Sequence, residues 1–332
     1  MQTRVALVGG NDLSDGLGRG YRGLVRQGYP TMHLGDRRLC ELLGLAQAHK
    51  DILAALTAYK PDIIIHWQSP HSGAEEFVRE CRKLAPTVYW TVDDPHRLLN
   101  GWTAWQHYDA VWTCCAESVA EYVAKGKPAV LVYPTIDRAV DCPLPGAGPP
   151  RWDVGMACTN LYHGPDYKGV MASRVEILRV VSRLGRVAVM GLSPRAVQLL
   201  PTGISAFARI PHEHQRFFFA DCKINLNSHV EIAHRGYLNE RCVEILATGG
   251  FMLCDAVAGI EDIFVDGKHL ALYHNLQELR QKVEHYLEAD AERVDIGEAG
   301  RALVAEKFDA EKVMPQAVAD TLALVAGGQA VP

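Results

Sequence analysis

Short apolar runs alternate along the chain with stretches whose apolar residues recur every three or four positions. In the first half, Val5–Val8, Asp62–His66, Thr87–Thr91, Ala110–Thr113 and Ala129–Tyr133 are brief, apolar and β-branched, as strands buried on both faces should be. Between them, Leu17–Gln27, His49–Ala58, Ala74–Leu84 and Glu117–Lys125 carry the helical spacing, and Pro61 stops a helix just before the next strand. This alternation predicts an α/β fold with a parallel sheet and right-handed crossovers.

The texture breaks at Asp141–Pro150, where four prolines and two glycines exclude helix and central strand and predict a linker. The alternation then restarts. Val154–Cys158, Val187–Met190, Lys223–Leu226, Phe251–Asp255 and Leu270–Tyr273 read as strands. Val170–Leu184, Gln215–Phe219, Leu238–Ala247, Asn275–Glu288 and Asp295–Phe308 read as helices, with a last helix over Ala310–Val325. The expected organisation is an N-terminal Rossmann-like domain over residues 1–142, a linker over 143–150 and a second Rossmann-like domain over 151–309. Residues 310–332 form a C-terminal helix free to dock on either domain. Two such domains facing each other across a cleft would offer a substrate site.

Composition narrows the function classes. Hydrophobic residues make up 48% of the 332 and charged residues 22%, ample for two cores. The net charge of −5 argues against nucleic acid or a membrane surface as partner, since either calls for a basic face. No apolar run approaches the roughly 20 residues that span a bilayer, so no transmembrane segment is expected. Nine scattered cysteines without a CxxC pair fit reduced thiols in a cytoplasmic protein, and 14 histidines show no metal-ligand spacing. Neither a metal nor a cofactor is expected.

The candidate chemistry lies at the ends of the strands. In Asn239–Asp255, a short helix carrying Glu244 leads through Gly249-Gly250 into an apolar strand. A carboxylate facing a strand's carboxyl edge suits a ribose diol, although an acid ahead of an ordinary αβ turn explains the pattern equally well. Gly9-Gly10 follow the first strand, where backbone N–H groups at a helix start can cradle an anion. There is no GxGxxG directly after the strand and no Walker lysine, so a dehydrogenase or P-loop reading loses ground. Lys168, at the corresponding turn of the second half, can neutralise a diphosphate or simply be a solvated lysine, and Arg174, Arg235 and Arg241 are further candidates for a phosphate clamp. Asp93, Asp94 and His96 cluster after the strand Thr87–Thr91, with His71 after the preceding strand. These four can serve as general base or orient an acceptor, with helix capping by Asp94 ahead of Pro95 as the alternative.

The stretch from Lys223 to Asn227, that from Asn239 to Asp255, and Gly259–Gly267 resemble the glycosyltransferase group 1 superfamily of GT-B fold, most closely its CgeB-like branch. Tyr89–Pro95, Tyr108–Thr113 and Tyr133–Asp137 extend the resemblance into the first half. It implies metal-independent transfer of a sugar from a nucleotide-sugar donor, held mainly by the second domain, to a small-molecule or glycan acceptor. By that resemblance Glu244 holds the donor ribose, Lys168 the diphosphate, and Gly249, Gly250, Gly9 and Gly10 let backbone approach the donor, while Arg241 matches an arginine of the CgeB-like branch. The superfamily's first glutamate, eight positions before Glu244, is here Gly236, and Glu231 and Glu240 flank it out of register. That departure leaves the stereochemistry open. It also keeps two alternatives in play, a non-catalytic nucleotide-sugar-binding protein and a transferase acting on DNA bases.

Overall fold

The computed structural model describes residues 2–10, 13, 16–68, 74–161 and 170–327. The chain divides into two compact units, Met1–Asp137 together with Phe308–Pro332, and Arg138–Lys307.

The first unit is built on β1 (Val5–Val8), β2 (Thr31–Leu34), β3 (Ile63–Trp67), β4 (Thr87–Thr91), β5 (Ala110–Thr113) and β6 (Ala129–Leu131). They form one parallel sheet in the order β2-β1-β3-β4-β5-β6. Its helices are α1 (Gly16–Arg26), α2 (Asp36–Leu43), α3 (Leu45–Tyr59), α4 (Glu75–Arg82), α5 (His96–Leu99) and α6 (Ala116–Ala124). The central strands are buried throughout, as their unbroken apolar runs require. The edge strand β2 and the helix α2 go beyond the sequence expectation. Thr31-Met32-His33-Leu34 is only half buried, so it never needed an apolar run.

In the second unit, β7 (Trp152–Ala157), β8 (Val187–Met190), β9 (Ser205–Phe207), β10 (Cys222–Asn227), β11 (Met252–Asp255) and β12 (Ala271–Tyr273) form a second parallel sheet. Its order is β12-β11-β10-β7-β8-β9. The helices are α7 (Arg174–Val181), α8 (Pro194–Val197), α9 (Gln215–Ala220), α10 (Glu240–Ala247), α11 (Leu276–Glu288) and α12 (Asp290–Lys307). Their starts are written locally. Ser173 and Glu176 make a reciprocal capping box on α7, and Asn239 and Asn275 cap α10 and α11 through the backbone N–H of Cys242 and Glu278. The strand missed by sequence is again an edge, β9.

The last helix, α13 (Ala310–Gly327), belongs to the first unit. Ala310, Met314, Ala317 and Val318 bury against the core made by Leu17, Leu24, Trp67, Trp90 and Trp112. The three tryptophans stand edge-to-face on neighbouring strands, 4.6 and 5.4 Å between ring centroids, and Trp112 Nε1 donates to Thr321 Oγ1 of α13 at 2.7 Å. The glycines of α1 serve this packing. A Cβ on Gly23 would lie 2.5 Å from the Ala310 carbonyl oxygen, and one on Gly20 would lie 2.9 Å from Met314 and 3.0 Å from Trp90. The segments that leave and re-enter the unit pair with each other through Ile136 and Asp309, and Asp137 is clamped by Arg22 and Arg26. Among the described residues no helix is long and apolar enough to cross a membrane.

Because α1 and α13 meet at van der Waals distance over Gly23, Gly23→Ala should cost about 1–3 kcal/mol through overpacking. Equilibrium urea unfolding followed by tryptophan fluorescence reads this directly. An unchanged midpoint would show that the two helices part freely.

Candidate functional site

Parallel strands put every strand's carboxyl end on one edge of each sheet, and the helix that follows runs back from it. On the second sheet this brings the loops after β7, β10 and β11 together with the start of α10. Arg174 opens α7 rather than lying a turn or more inside a helix. Its buried guanidinium donates to Ser228 Oγ at 3.1 Å, Ser228 O at 2.7 Å and Asn160 O at 2.8 Å, bridging the carboxyl ends of β10 and β7. Arg241 lies in the first turn of α10. Burial pushes the Cys158 thiol pKa up, and the charges of Arg174 and Arg241 both oppose that shift. Both charges thus act on a thiol just past the carboxyl end of β7.

Glu244 stands about 6 Å along α10 from Glu240 and is only 2% exposed. A buried carboxylate needs charge and hydrogen-bond partners. Arg241 supplies the first, its Nη1 donating to Glu244 Oε2 across one helical turn. His212 supplies the second, with Nδ1 3.4 Å from Glu244 Oε1, while its Nε2 lies 3.0 Å from Asp141 Oδ1. The chain Arg241–Glu244–His212–Asp141 is buried apart from Arg241, whose side chain is 22% exposed. His212 and Asp141 escaped the sequence reading because they come from a short 3-10 turn and the proline-rich segment, neither of which carries a periodic signal. Arg235 sits apart on the surface, paired with Asp262 at 2.5 Å.

The glycine pair has a different place from the one expected. Gly249 and Gly250 lie at the amino end of β11, the edge opposite Asp255, so on this sheet they do not meet the loops that hold Arg174 and Ser228. Gly249 has φ +76° and ends α10 through the bond from its N–H to Leu246 O, and Gly250 N–H bonds Ile245 O. A Cβ on Gly297 of α12 would lie 2.5 Å from Gly249 O, so a close helix approach is the other demand here. Both glycines are accounted for by the helix end.

On the first sheet, Gly9 and Gly10 follow β1, and His33 Nε2 lies 2.9 Å from Gly9 O. Asp93, 48% exposed at its side chain, follows β4 and accepts from Gln68 Nε2 at 2.7 Å and from Arg97 Nε at 3.0 Å. His96 opens α5 with Asn100 Nδ2 3.2 Å from its Nδ1. Asp94 corrects the expectation of an exposed acid. It is 0% exposed, does not cap α5, and turns its Oδ2 inward to accept from Thr113 Oγ1 and Tyr122 OH, each at 2.9 Å. Burial raises its pKa to about 6, against the pull of those two hydrogen bonds. A carboxyl held in the core in this way ties the loop after β4 to β5 and α6. His71 and Lys168 lie outside the described residues.

Asp94 has a folded pKa above its unfolded value, so the folded state holds the extra proton between about pH 4 and about pH 6, and the stability this gives is lost as pH rises through that window. Relative to Asp94→Asn, the wild type should lose about 3 kcal/mol between about pH 4 and about pH 7, read by denaturant titration at the two pH values. A pH-independent difference would contradict a buried, proton-holding Asp94. Gly249→Ala places an L side chain in the left-handed region at a cost of about 1–2 kcal/mol. A lowered unfolding midpoint with an unchanged constant for any ligand of the opposite edge is the expected pattern.

Residues 174–319 match the family model described as glycosyl transferase-like. No curated protein matches the sequence. Among solved structures, sucrose-phosphate synthase from Thermosynechococcus elongatus superposes with a TM-score of 0.69 at 13% identity, over 98% of this chain and 100% of that one. Anabaena HepE in complex with UDP and glucose superposes with 0.64 at 14% identity, over 97% and 100%. An alpha-glucosyltransferase in complex with UDP and a 13-mer DNA gives 0.71 at 7% identity, over 97% and 100%. The chain thus has the two-sheet α/β fold of GT-B glycosyltransferases and carries, over residues 174–319, a match to the glycosyl transferase-like family.

Proposed function

We propose that this protein transfers a sugar from a nucleotide-sugar donor bound at the carboxyl edge of the second sheet. The observations that carry the reading are the buried Arg174 at the carboxyl ends of β7 and β10 and the Arg241–Glu244 pair on α10, all inside the family-matched stretch. In the reaction the bond between the sugar's anomeric carbon and the diphosphate oxygen breaks, an acceptor oxygen bonds to that carbon and loses its proton, and the nucleoside diphosphate leaves with the added negative charge. Two guanidinium groups and the N-terminus of α7 or α10 suit that charge without a divalent cation bridging the phosphates. Arg174 is held by carbonyl and hydroxyl acceptors, so its orientation is set before the donor arrives. Lys168 would add a further cation.

Glu244 is the proposed ribose acceptor group. An ionised carboxylate offers about four acceptor positions on its two oxygens, which suits a pair of ribose hydroxyls. Because Arg241 is the exposed member of the network, donor entry would swing Arg241 from the carboxylate toward the diphosphate and let the ribose hydroxyls take its place. Asp93 and His96 on the first sheet are the proposed acceptor contacts. HepE and the DNA-bound alpha-glucosyltransferase were both solved with UDP, which makes uridine the first base to try.

A second reading, a nucleotide-sugar-binding protein without turnover, is motivated by Gly236, which stands where the superfamily's first glutamate is expected. A thermal-shift panel of UDP-, GDP-, dTDP- and CMP-sugars, followed by assay of released nucleotide, separates the two. At a hundred times Kd a donor should add about 2.7 kcal/mol to the stability of the folded state, and Glu244→Gln or Arg241→Ala should weaken its binding about 10–100-fold. Binding with no transfer or hydrolysis would favour the second reading. No shift with any donor would end both.

A further inference from the structure

Beneath the carboxyl edge of the second sheet, three elements bring one imidazole and two thiols together. His229 follows β10, Cys242 lies in the first turn of α10 and Cys254 ends β11 beside Asp255. All three are fully buried, and their donor atoms lie within 4.8 Å of one another. His229 Nε2 is 3.4 Å from Cys242 Sγ, and Cys254 Sγ is 3.8 Å from the other ring nitrogen, Nδ1. A zinc ion bound by thiolate at about 2.3 Å and imidazole at about 2.1 Å in tetrahedral geometry holds sulfur and nitrogen about 3.6 Å apart. The Cys242 spacing fits that figure, and a turn of the Cys254 sulfur from the Nδ1 side of the ring toward Nε2 would complete the set.

The surroundings fit the same cation. Asp255 Oδ1 sits 2.7 Å from His229 Nδ1, and Asp255 Oδ2 accepts the His229 backbone N–H at 2.8 Å. A carboxylate on one ring nitrogen fixes the tautomer that leaves the other free to ligate, the arrangement typical behind metal-bound histidine. Asn227 Nδ2 points at both sulfurs, 3.1 Å from Cys242 Sγ and 3.5 Å from Cys254 Sγ, where an N–H donor steadies thiolate charge. Tyr237 covers the ring edge-on at 5.2 Å. Sequence spacing hid the group because its members come from a strand end, a helix start and another strand end.

We propose that His229 Nε2, Cys242 Sγ and Cys254 Sγ bind one zinc ion, with the fourth position left to a water. Binding releases the two thiol protons to solvent and ties the carboxyl ends of β10 and β11 to the first turn of α10. Cys242 lies between Arg241 and Glu244 in sequence, so the ion would set the position of the helix turn that carries both. The proposal is independent of the glycosyltransferase reading.

A site this enclosed loads during folding, so the test is made on full-length protein from cells grown in zinc-supplemented or cobalt-supplemented minimal medium, desalted and kept reduced. The expected result is close to one zinc per chain by elemental analysis, and cobalt protein showing tetrahedral d–d bands with a sulfur-to-cobalt charge-transfer band. Cys242→Ser and Cys254→Ser should each lose the metal, while Cys40→Ser, which changes a thiol outside the cluster, keeps it. The cobalt spectrum of the wild type needs no variant, so a variant that fails to fold does not leave the question open. Metal-free wild type, zinc content unaltered in both folded serine variants, or a Cys242–Cys254 disulfide found by non-reducing peptide mapping would each overturn it.

Discussion

Parallel pairing is the constraint from which the rest of this molecule follows. A parallel strand cannot be reached by a tight turn, so each crossover carries a helix back along the sheet, and each helix starts near one edge and ends near the other. On the second sheet that rule sorts the residues of a single short segment. Asn239 and Arg241 fall toward the carboxyl edge because they open α10, Glu244 lies midway along it, and Gly249 and Gly250 fall at the other edge because they end it. Adjacency in sequence says little here; polarity along the helix decides which residues can share a ligand.

The second organising feature is the cost of burying charge. Glu244 and Arg174 both sit out of water, and each is met by a different solution. The carboxylate is flanked by a guanidinium and an imidazole, whereas Arg174 is surrounded by carbonyl and hydroxyl oxygens from two strand ends. The first arrangement nearly cancels charge and can exchange partners. The second orients a guanidinium by the dipoles of two strand ends. Asp94 takes a third course and keeps its proton up to about pH 6.

Much of this was legible in the sequence, for identifiable reasons. The central strands β1, β4, β5 and β8 match their expected bounds because burial on both faces forces unbroken apolar runs. The edge strands β2 and β9 did not stand out, since an edge tolerates half-exposed and polar residues. Arg174, Arg241 and Glu244 were legible by type and position, but their partners were not. Ser228, His212 and Asp141 lie 54, 32 and 71 residues from the side chains they hold, and only the folded topology brings them near. Asp94 was misjudged because a loop acid looks exposed on paper, while Thr113 and Tyr122, which turn it inward, belong to the next strand and helix.

The pairing of Ile136 with Asp309 means that the chain leaves the first unit and comes back to it at the same point. The second unit is one uninterrupted segment, Arg138–Lys307, inserted into the first. During synthesis the inserted unit has all of its residues before the first unit has its last helix. Until then the tryptophans of β3, β4 and β5 lack the Met314, Val318 and Thr321 that cover them. Of the two units, the one begun first is therefore completed second, and its tryptophan-rich face waits open for the length of the insertion.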